Sequence, residues 1–153
     1  MQVLKNKSCR MCGGSNFHEV LNLGNNSLVN SYLKKSELNK KEFLHPLIVH
    51  QCESCKLVQI LDVIDPVKIY TEGNYLCFST DVPGLPNYFK EYASEVSERF
   101  LKENDLVIEI ASNDGILLSF LKNKYKILGI DAAPNAVLKA LKKNIPSFPS
   151  LFN

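Results

Sequence analysis

Two C-x-x-C pairs, Cys9-Arg-Met-Cys12 and Cys52-Glu-Ser-Cys55, constrain this chain more than any other feature. Each spacing makes a tight knuckle whose two sulfurs face one point. Two knuckles supply four thiolates in a tetrahedron, the arrangement Zn²⁺ favours with Zn–S near ~2.3 Å. Cys9, Cys12, Cys52 and Cys55 are therefore the expected metal ligands, and four thiolates leave no open position, so the ion is structural rather than catalytic. Gly13-Gly14 follows the first knuckle, where backbone amides turn toward sulfur, and the long segment between the pairs can hold a small sheet, as in zinc ribbons. The alternatives are a redox pair, which normally opens a helix after a strand and needs only one C-x-x-C, and an iron–sulfur cluster. Zinc is preferred to both. Of the three histidines, His18, His45 and His50, His50 lies near enough to Cys52 to replace a ligand, but a strand histidine with a satisfied hydrogen bond is the simpler reading. Cys77 reads as an unligated, buried or half-buried thiol.

Hydrophobic residues make up 45% of the 153-residue chain, enough for a packed core, and the formal net charge is +2. No basic face interleaved with aromatic residues stands out, which argues against a nucleic-acid partner. The first twenty residues hold no apolar run of signal-peptide length, and no stretch of ~18 apolar residues suggests a membrane span. Cysteine pairs without a secretion signal fit a reducing compartment, so the expected location is cytoplasmic. Residues 1–66 carry few large apolar side chains and cannot order through burial alone. Metal binding worth on the order of 10 kcal/mol would decide whether they fold.

Three regions follow from the pattern. In residues 1–66 the strand-like runs are Phe17–Leu23, ended by Gly24-Asn25-Asn26, then Phe43–Gln51 and Leu57–Val63, with the second cysteine pair in the turn of a hairpin between the last two. Ser36–Lys41 reads as a polar loop or helical turn. Residues 67–104 form a connector with breakers at Asp65-Pro66 and Pro83-Gly84-Leu85-Pro86. A helix follows Pro86, with Phe89, Tyr92, Ala93, Val96 and Phe100 on one apolar stripe. In residues 105–153, Leu106–Ala111 is a continuous apolar run, the pattern of a strand buried on both faces. Ser112–Gly115 is a turn, Ile116–Lys122 a helix, Lys126–Asp131 a second strand, and Ala133–Asn144 a helix with Pro134 in its first turn. Strand, helix, strand, helix predicts parallel strands. The expected fold class is α+β: a small zinc-ribbon-like β domain, a helical connector, and the first β-α-β-α of an incomplete Rossmann-like domain.

The turn after the first parallel strand carries the second signal. In Val107-Ile-Glu-Ile-Ala-Ser-Asn-Asp-Gly115 a strand ends in small residues that open a helix, and the next strand ends in Asp131. This is the crevice at the carboxyl ends of parallel strands where adenosine ligands sit. Asp131 is placed to accept from two ribose hydroxyls, Gly115 to let the backbone approach without a Cβ, and Glu109 to meet the ligand's amino group. A pyrophosphate calls for G-x-G-x-x-G, whereas this turn has one glycine and nearby acids. Acids beside the ammonium and sulfonium of S-adenosylmethionine are favourable, so that cofactor is preferred to NAD. A plain β-α-β with a polar turn and no ligand is the alternative.

Taken in order, these segments resemble the N-terminal part of the sugar C-methyltransferases of deoxysugar biosynthesis, S-adenosylmethionine enzymes with an N-terminal four-cysteine zinc domain. The resemblance rests on Cys9–Gly13, Val20–Gly24, Leu28–Leu33, His45–Leu47, Cys52–Gln59, Val63–Pro66, Tyr92-Ala93, Glu109–Gly115 and Gly129–Asp131. It implies a methyltransferase acting on a nucleotide-linked deoxy-keto sugar, in which a proton alpha to the ketone is removed and the resulting carbon takes the methyl group. It also implies cofactor contacts at Glu109, Ala111, Asn113, Gly115 and Asp131, and substrate contacts at Tyr75 and Ser79. The general base is expected beyond residue 153. Ala111 departs from the family, which usually has glycine there; an alanine at positive φ costs ~1 kcal/mol and narrows the ligand approach. Family members also continue well past this length, so the portion in hand is expected to be inactive alone, with the missing C-terminal part as a possible partner. A zinc-ordered binding module for a protein or nucleotide sugar, without catalysis, is the rival reading.

Overall fold

The computed structural model describes residues 3–30, 32–71 and 75–152, so Ser31 of the Leu28–Leu33 segment lies outside the described residues. Among them no helix is long and apolar enough to cross a membrane. The chain divides into two compact units, Met1–Ile69 and Tyr70–Asn153, and the helix that follows Pro86 belongs to the second.

In the first unit, strands β1 (Val3–Lys5), β2 (Phe17–Ser27), β3 (Leu44–Cys52), β4 (Val58–Ile60) and β5 (Asp62–Ile64) form two antiparallel sheets, β2-β3-β4 and β1-β5. The β3–β4 hairpin carries the second cysteine pair in its turn. Two strand limits differ from the sequence expectation. β2 runs through Gly24-Asn25-Asn26, where a register shift between Asn22 and Asn25 absorbs the turn-forming residues as a bulge. The Asn22 side chain accepts the Gly24 N–H at 2.9 Å, a local bond that replaces the lost ladder pairing. The Leu57–Val63 run is two strands, because Leu61 is buried between them while β4 pairs with β3 and β5 with β1. Lys35–Glu37 is a 3₁₀ turn.

In the second unit, α1 (Leu85–Phe100) has Pro86 in its first turn, where a missing N–H is harmless. Its buried stripe is narrower than the pattern predicts: Ala93 is buried and Phe89 and Val96 are half-buried, while Tyr92 and Phe100 are exposed. Those two satisfy themselves on the helix surface, Tyr92 stacked on Tyr88 at 6.2 Å and Phe100 under the Arg99 guanidinium at 5.0 Å. Next come β6 (Leu106–Ile110), α2 (Ile116–Leu121), β7 (Lys126–Asp131), α3 (Pro134–Lys142) and β8 (Ser147–Pro149). The strands form a parallel sheet in the order β6-β7-β8. The sequence pattern predicts two strands. The third is β8, and β7 is therefore central rather than an edge.

The sheet is covered on one face. Val107 and Ile127 pack on Leu118, Ala140 and Ile145. On the other face Leu106, Ile108, Ile110 and Phe148 are each more than half exposed, so β6 is not buried on both faces within this chain, because α2 and α3 cover the same side. Gly115 opens α2 at φ 75°. A Cβ there would meet Ile145 Cδ1 at 2.8 Å and Ala140 Cβ at 3.2 Å. Its bare side thus faces the core, so that α2 and α3 can close over the sheet, and not a ligand.

Candidate metal centre and ligand cavity

The two cysteine knuckles have the same backbone fold, dictated by the residue after each pair. In the first, the Cys9 N–H donates to Gly14 O at 2.8 Å and the Gly13 N–H donates to Cys9 O at 2.9 Å. In the second, the Cys52 N–H donates to Leu57 O and the Lys56 N–H to Cys52 O, both at 2.9 Å. Closing this ring needs a left-handed residue directly after the second cysteine: Gly13 has φ 73° and Lys56 has φ 64°. Glycine adopts that conformation freely, and lysine does so against a steric penalty.

The knuckles bring the four sulfurs together across the sequence. Cys9 Sγ lies 3.6 Å from Cys55 Sγ, Cys12 Sγ lies 3.6 Å from Cys52 Sγ, and all four sit within 4.8 Å of one another. A tetrahedron with Zn–S of ~2.3 Å has edges of about 3.8 Å, whereas a disulfide requires about 2.05 Å; the quartet is dimensioned for a metal. Backbone amides converge on the sulfurs as well. The Cys12 N–H, then the Met11 N–H and the Gln59 amide, pull the Cys9 thiol down to about 6 against the opposing effect of burial. The Cys55 and Ser54 N–H groups lower Cys52 in the same way. Cys55 has a lowering N–H bond from Leu57, but burial and its three sulfur neighbours leave it pushed up to about 12. Four adjacent sulfurs cannot all hold negative charge without a cation among them, which is the electrostatic case for Zn²⁺.

Gln59, a residue without a motif of its own, completes this centre. It is 7% exposed, donates Nε2–H to Cys9 Sγ at 3.1 Å and accepts the Arg10 N–H at 3.3 Å, tying the first knuckle to β4. Its signals in the sequence are its position within the second hairpin strand and at the end of the Cys52–Gln59 segment, and neither marks it as a partner of Cys9. His50 stays outside the quartet; its Nδ1 lies 3.2 Å from Ile48 O and its ring meets Phe17 edge-on. Cys77 is exposed rather than buried, on a loop whose backbone carbonyl accepts from the Asn113 side chain.

The second site is a cavity of about 390 Å³ at the carboxyl ends of the parallel strands, lined by Ala111 and Asn113 of the turn, Asp131, Ile110, Ile130, Tyr70, Tyr75 and Phe152, among others. Ala111 and Asn113 have φ 59° and 50°. Asp131 holds the turn: its Oδ2 accepts the Asn113 N–H at 2.7 Å and its Oδ1 accepts the Ala133 N–H at 2.8 Å. Each oxygen keeps a further lone pair for a donor in the cavity. Glu109 does not line the cavity. It lies beneath the turn with Oε2 unpartnered, and burial, followed by the charges of Asp131 and Asp114, pushes its carboxyl up to about 7. Gly115 and Ser79 are likewise outside the lining. Tyr75 lines it, its phenol held above the usual range by burial first and by neighbouring Cys77 second. Asp114, also missed in the sequence, is fully buried, and its carboxylate meets Lys143 Nζ at 2.9 Å and the Thr80 hydroxyl.

Residues 9–70 match the family described as a zinc binding domain, Methyltransf_13. Over 146 residues the chain is 27% identical to the C-methyltransferase NovU of Streptomyces niveus, an alignment that covers 94% of this chain and 34% of that protein. The chain thus spans about a third of the length of the relative it matches. The match to the zinc domain coincides with the thiolate quartet, and the match to the methyltransferase continues through both units. Residues 9–70 are thus similar to this zinc-binding family, and the chain as a whole is similar to the N-terminal portion of a C-methyltransferase.

Proposed function

We propose that the cavity at the ends of β6, β7 and β8 receives the adenosyl portion of S-adenosylmethionine, and that the chain is the cofactor-binding and zinc-bearing part of a methyltransferase that modifies a carbon of a nucleotide-linked deoxy-keto sugar. The observation that carries this reading is the placement of Ala111, Asn113 and Asp131 together in one cavity at the carboxyl edge of a parallel sheet, the position at which a Rossmann-like sheet takes an adenosine ligand.

The residues present fit such a cofactor. Among the described residues, the cavity lining carries one carboxylate, Asp131, and no lysine or arginine. That charge balance suits a cationic ligand and opposes a pyrophosphate. When bound, the cofactor supplies a methyl carbon activated by its sulfonium charge. Asp131 would accept from the ribose, and Ile110, Ile130 and Phe152 would flank the adenine with apolar surface. Tyr75 stands on the same cavity wall and would meet the sugar. The metal centre would order the first unit and take no part in the chemistry, since four thiolates leave no coordination position for substrate. Spanning about a third of the length of the relative it matches, the chain alone would bind the cofactor and not turn over.

Calorimetry with S-adenosylhomocysteine tests this reading, with NAD in a parallel titration. Expected is saturable binding of the thioether that Asp131→Ala weakens at least tenfold, and no competition by NAD. Heat of binding with NAD alone, or with neither ligand, overturns it.

A further inference from the structure

One segment of the second unit is tied to the cofactor turn far more tightly than a connecting loop requires. Residues 75–81 precede α1 in sequence, yet their hydrogen bonds go to the turn after β6 and to α3. The Asn113 side chain makes two of these ties: Nδ2–H donates to Cys77 O at 2.9 Å, and Oδ1 accepts the Ser79 N–H at 3.1 Å. That same oxygen also accepts the Asp114 N–H at 2.8 Å. The Thr80 hydroxyl donates to buried Asp114, which Lys143 neutralises at 2.9 Å. Lys139 pairs with Asp81 at 2.7 Å and lies 3.9 Å over the Phe78 ring. The Asn135 amide donates to Tyr75 O. The segment is a strap across the turn, and one end of it, Tyr75, lines the cavity.

Asn113 occupies the junction. Its backbone is left-handed and lines the cavity, a conformation that asparagine tolerates because its side chain can bond locally. Here the side chain bonds instead to both sides, to its own turn and to the strap. Its N–H is fixed by Asp131, so the chain of contacts runs from Asp131 through Asn113 to the strap without interruption.

We infer that Asn113 is a positioning residue that couples the two walls of the cavity: its amide transmits occupancy of the turn to the Tyr75–Asp81 strap, so that a ligand seated against the turn fixes Tyr75. The inference rests on the reading of the turn as the cofactor side and of Tyr75 as the sugar side. It adds that cofactor and sugar bind with positive coupling. A ligand that orders an element shared by two sites lowers the ordering entropy the second ligand must overcome.

Amide hydrogen exchange on the full chain tests this without turnover. Asn113→Gly retains the left-handed backbone and deletes both amide ties. Exchange in residues 75–81 is expected to rise about tenfold or more in this variant, with β6, β7 and α3 unchanged. In the unaltered chain, S-adenosylhomocysteine should slow exchange in both the turn and the strap; in Asn113→Gly it should slow the turn alone. Strap exchange at the unaltered rate in Asn113→Gly, or full strap protection by the ligand in that variant, overturns the coupling. Should the variant lose protection in β6 and β7 as well, Asn113→Ala, which deletes the same two ties without adding the backbone freedom of glycine, decides the question by the same two readouts. Failure of the ligand to protect the turn in the unaltered chain removes the cofactor reading, while the ligand-free arm still judges whether Asn113 holds the strap.

Discussion

Ala111 is the position where backbone geometry and proposed function meet, and substituting it by glycine has a predictable sign. Its φ is 59°, in the left-handed region where an L-residue brings its Cβ against the carbonyl oxygen at a penalty of roughly 1–2 kcal/mol. Glycine removes that penalty but gives the unfolded chain more freedom, worth roughly 0.5–1 kcal/mol in the opposite direction. The net expectation for Ala111→Gly is a stabilisation of roughly 0.5–1 kcal/mol, which in a unit of this size raises its Tm by about 2–8 °C. Ala132 is the internal control. It lines the same cavity but is not among the positive-φ residues, so Ala132→Gly should be destabilising by ~0.4–1 kcal/mol. Calorimetric unfolding of the two variants measures both signs at once. Because the Ala111 methyl borders the cavity, Ala111→Gly should also tighten S-adenosylhomocysteine binding, a separate readout by titration. An unchanged or lowered Tm for Ala111→Gly, together with a fall of the same size for Ala132→Gly, would show that the left-handed turn carries no strain and would refute the reasoning.

The other predictions concern the metal centre and one buried acid. Lys56→Gly should stabilise the first unit by roughly 0.5 kcal/mol, since Lys56 repeats at φ 64° the position that Gly13 fills freely; Gly13→Ala should do the opposite, and urea midpoints separate the two. Stoichiometric zinc is expected by elemental analysis, and a chelator should abolish amide protection in β2–β4 while leaving β6 and β7 protected. Gln59→Leu should speed zinc transfer to a colorimetric chelator by about 10–100-fold, because Cys9 Sγ loses its side-chain donor; an unchanged rate would show that the amide does not hold the ligand. Glu109 titrates at about 7 in the folded chain from an ordinary value of 4.5, so its native state binds the proton more tightly. Its contribution to stability is full below about 4.5 and is lost as pH rises toward 7. The stability difference between the unaltered chain and Glu109→Gln should fall across that window and be flat above it.

What the sequence shows depends on how local the determining contacts are. The knuckles are legible because C-x-x-C fixes both sulfurs within one turn, and the β3–β4 hairpin is legible because the second pair sits between two strand-like runs. The β6-α2-β7-α3 order follows from apolar runs alternating with helical spacing, with Pro134 marking a helix start. β8 escapes because it is three residues long, follows Pro146 and ends on Pro149, breakers that mask its pairing with β7. Gln59 and Asp114 escape for a different reason: each matters through a partner far away in sequence, Cys9 in one case and Lys143 and Thr80 in the other, and no period or spacing announces such a pair. Gly115 shows the converse error. A glycine in a nucleotide-type turn suggests close approach of a ligand, yet the space its Cβ would fill belongs to Ile145 and Ala140.

Each unit is ordered within itself by different physics, and this difference makes a metal the expected requirement of the first alone. In the first, the buried apolar residues among those described are Cys9, Cys52, Leu61 and Ile64, while Val20, Leu21 and Leu23 of the longest strand are at least half exposed. Two of the four buried positions are themselves sulfur ligands, so the interior of this unit is largely its metal centre. Apolar burial on that scale does not offset the backbone entropy of five strands. In the second unit Ile116, Leu118, Leu121, Val137 and Ile145 are buried together with four alanines from α1 and α3 and the residue before it, a core built by helices closing on one face of a parallel sheet. A chelator should therefore remove the order of one unit and spare the other, and two separable transitions, one metal-dependent and one not, are the expected signature. A single transition that moves as a whole with metal concentration would mean that the helical core also draws its stability from the thiolate site, against the distribution of buried side chains.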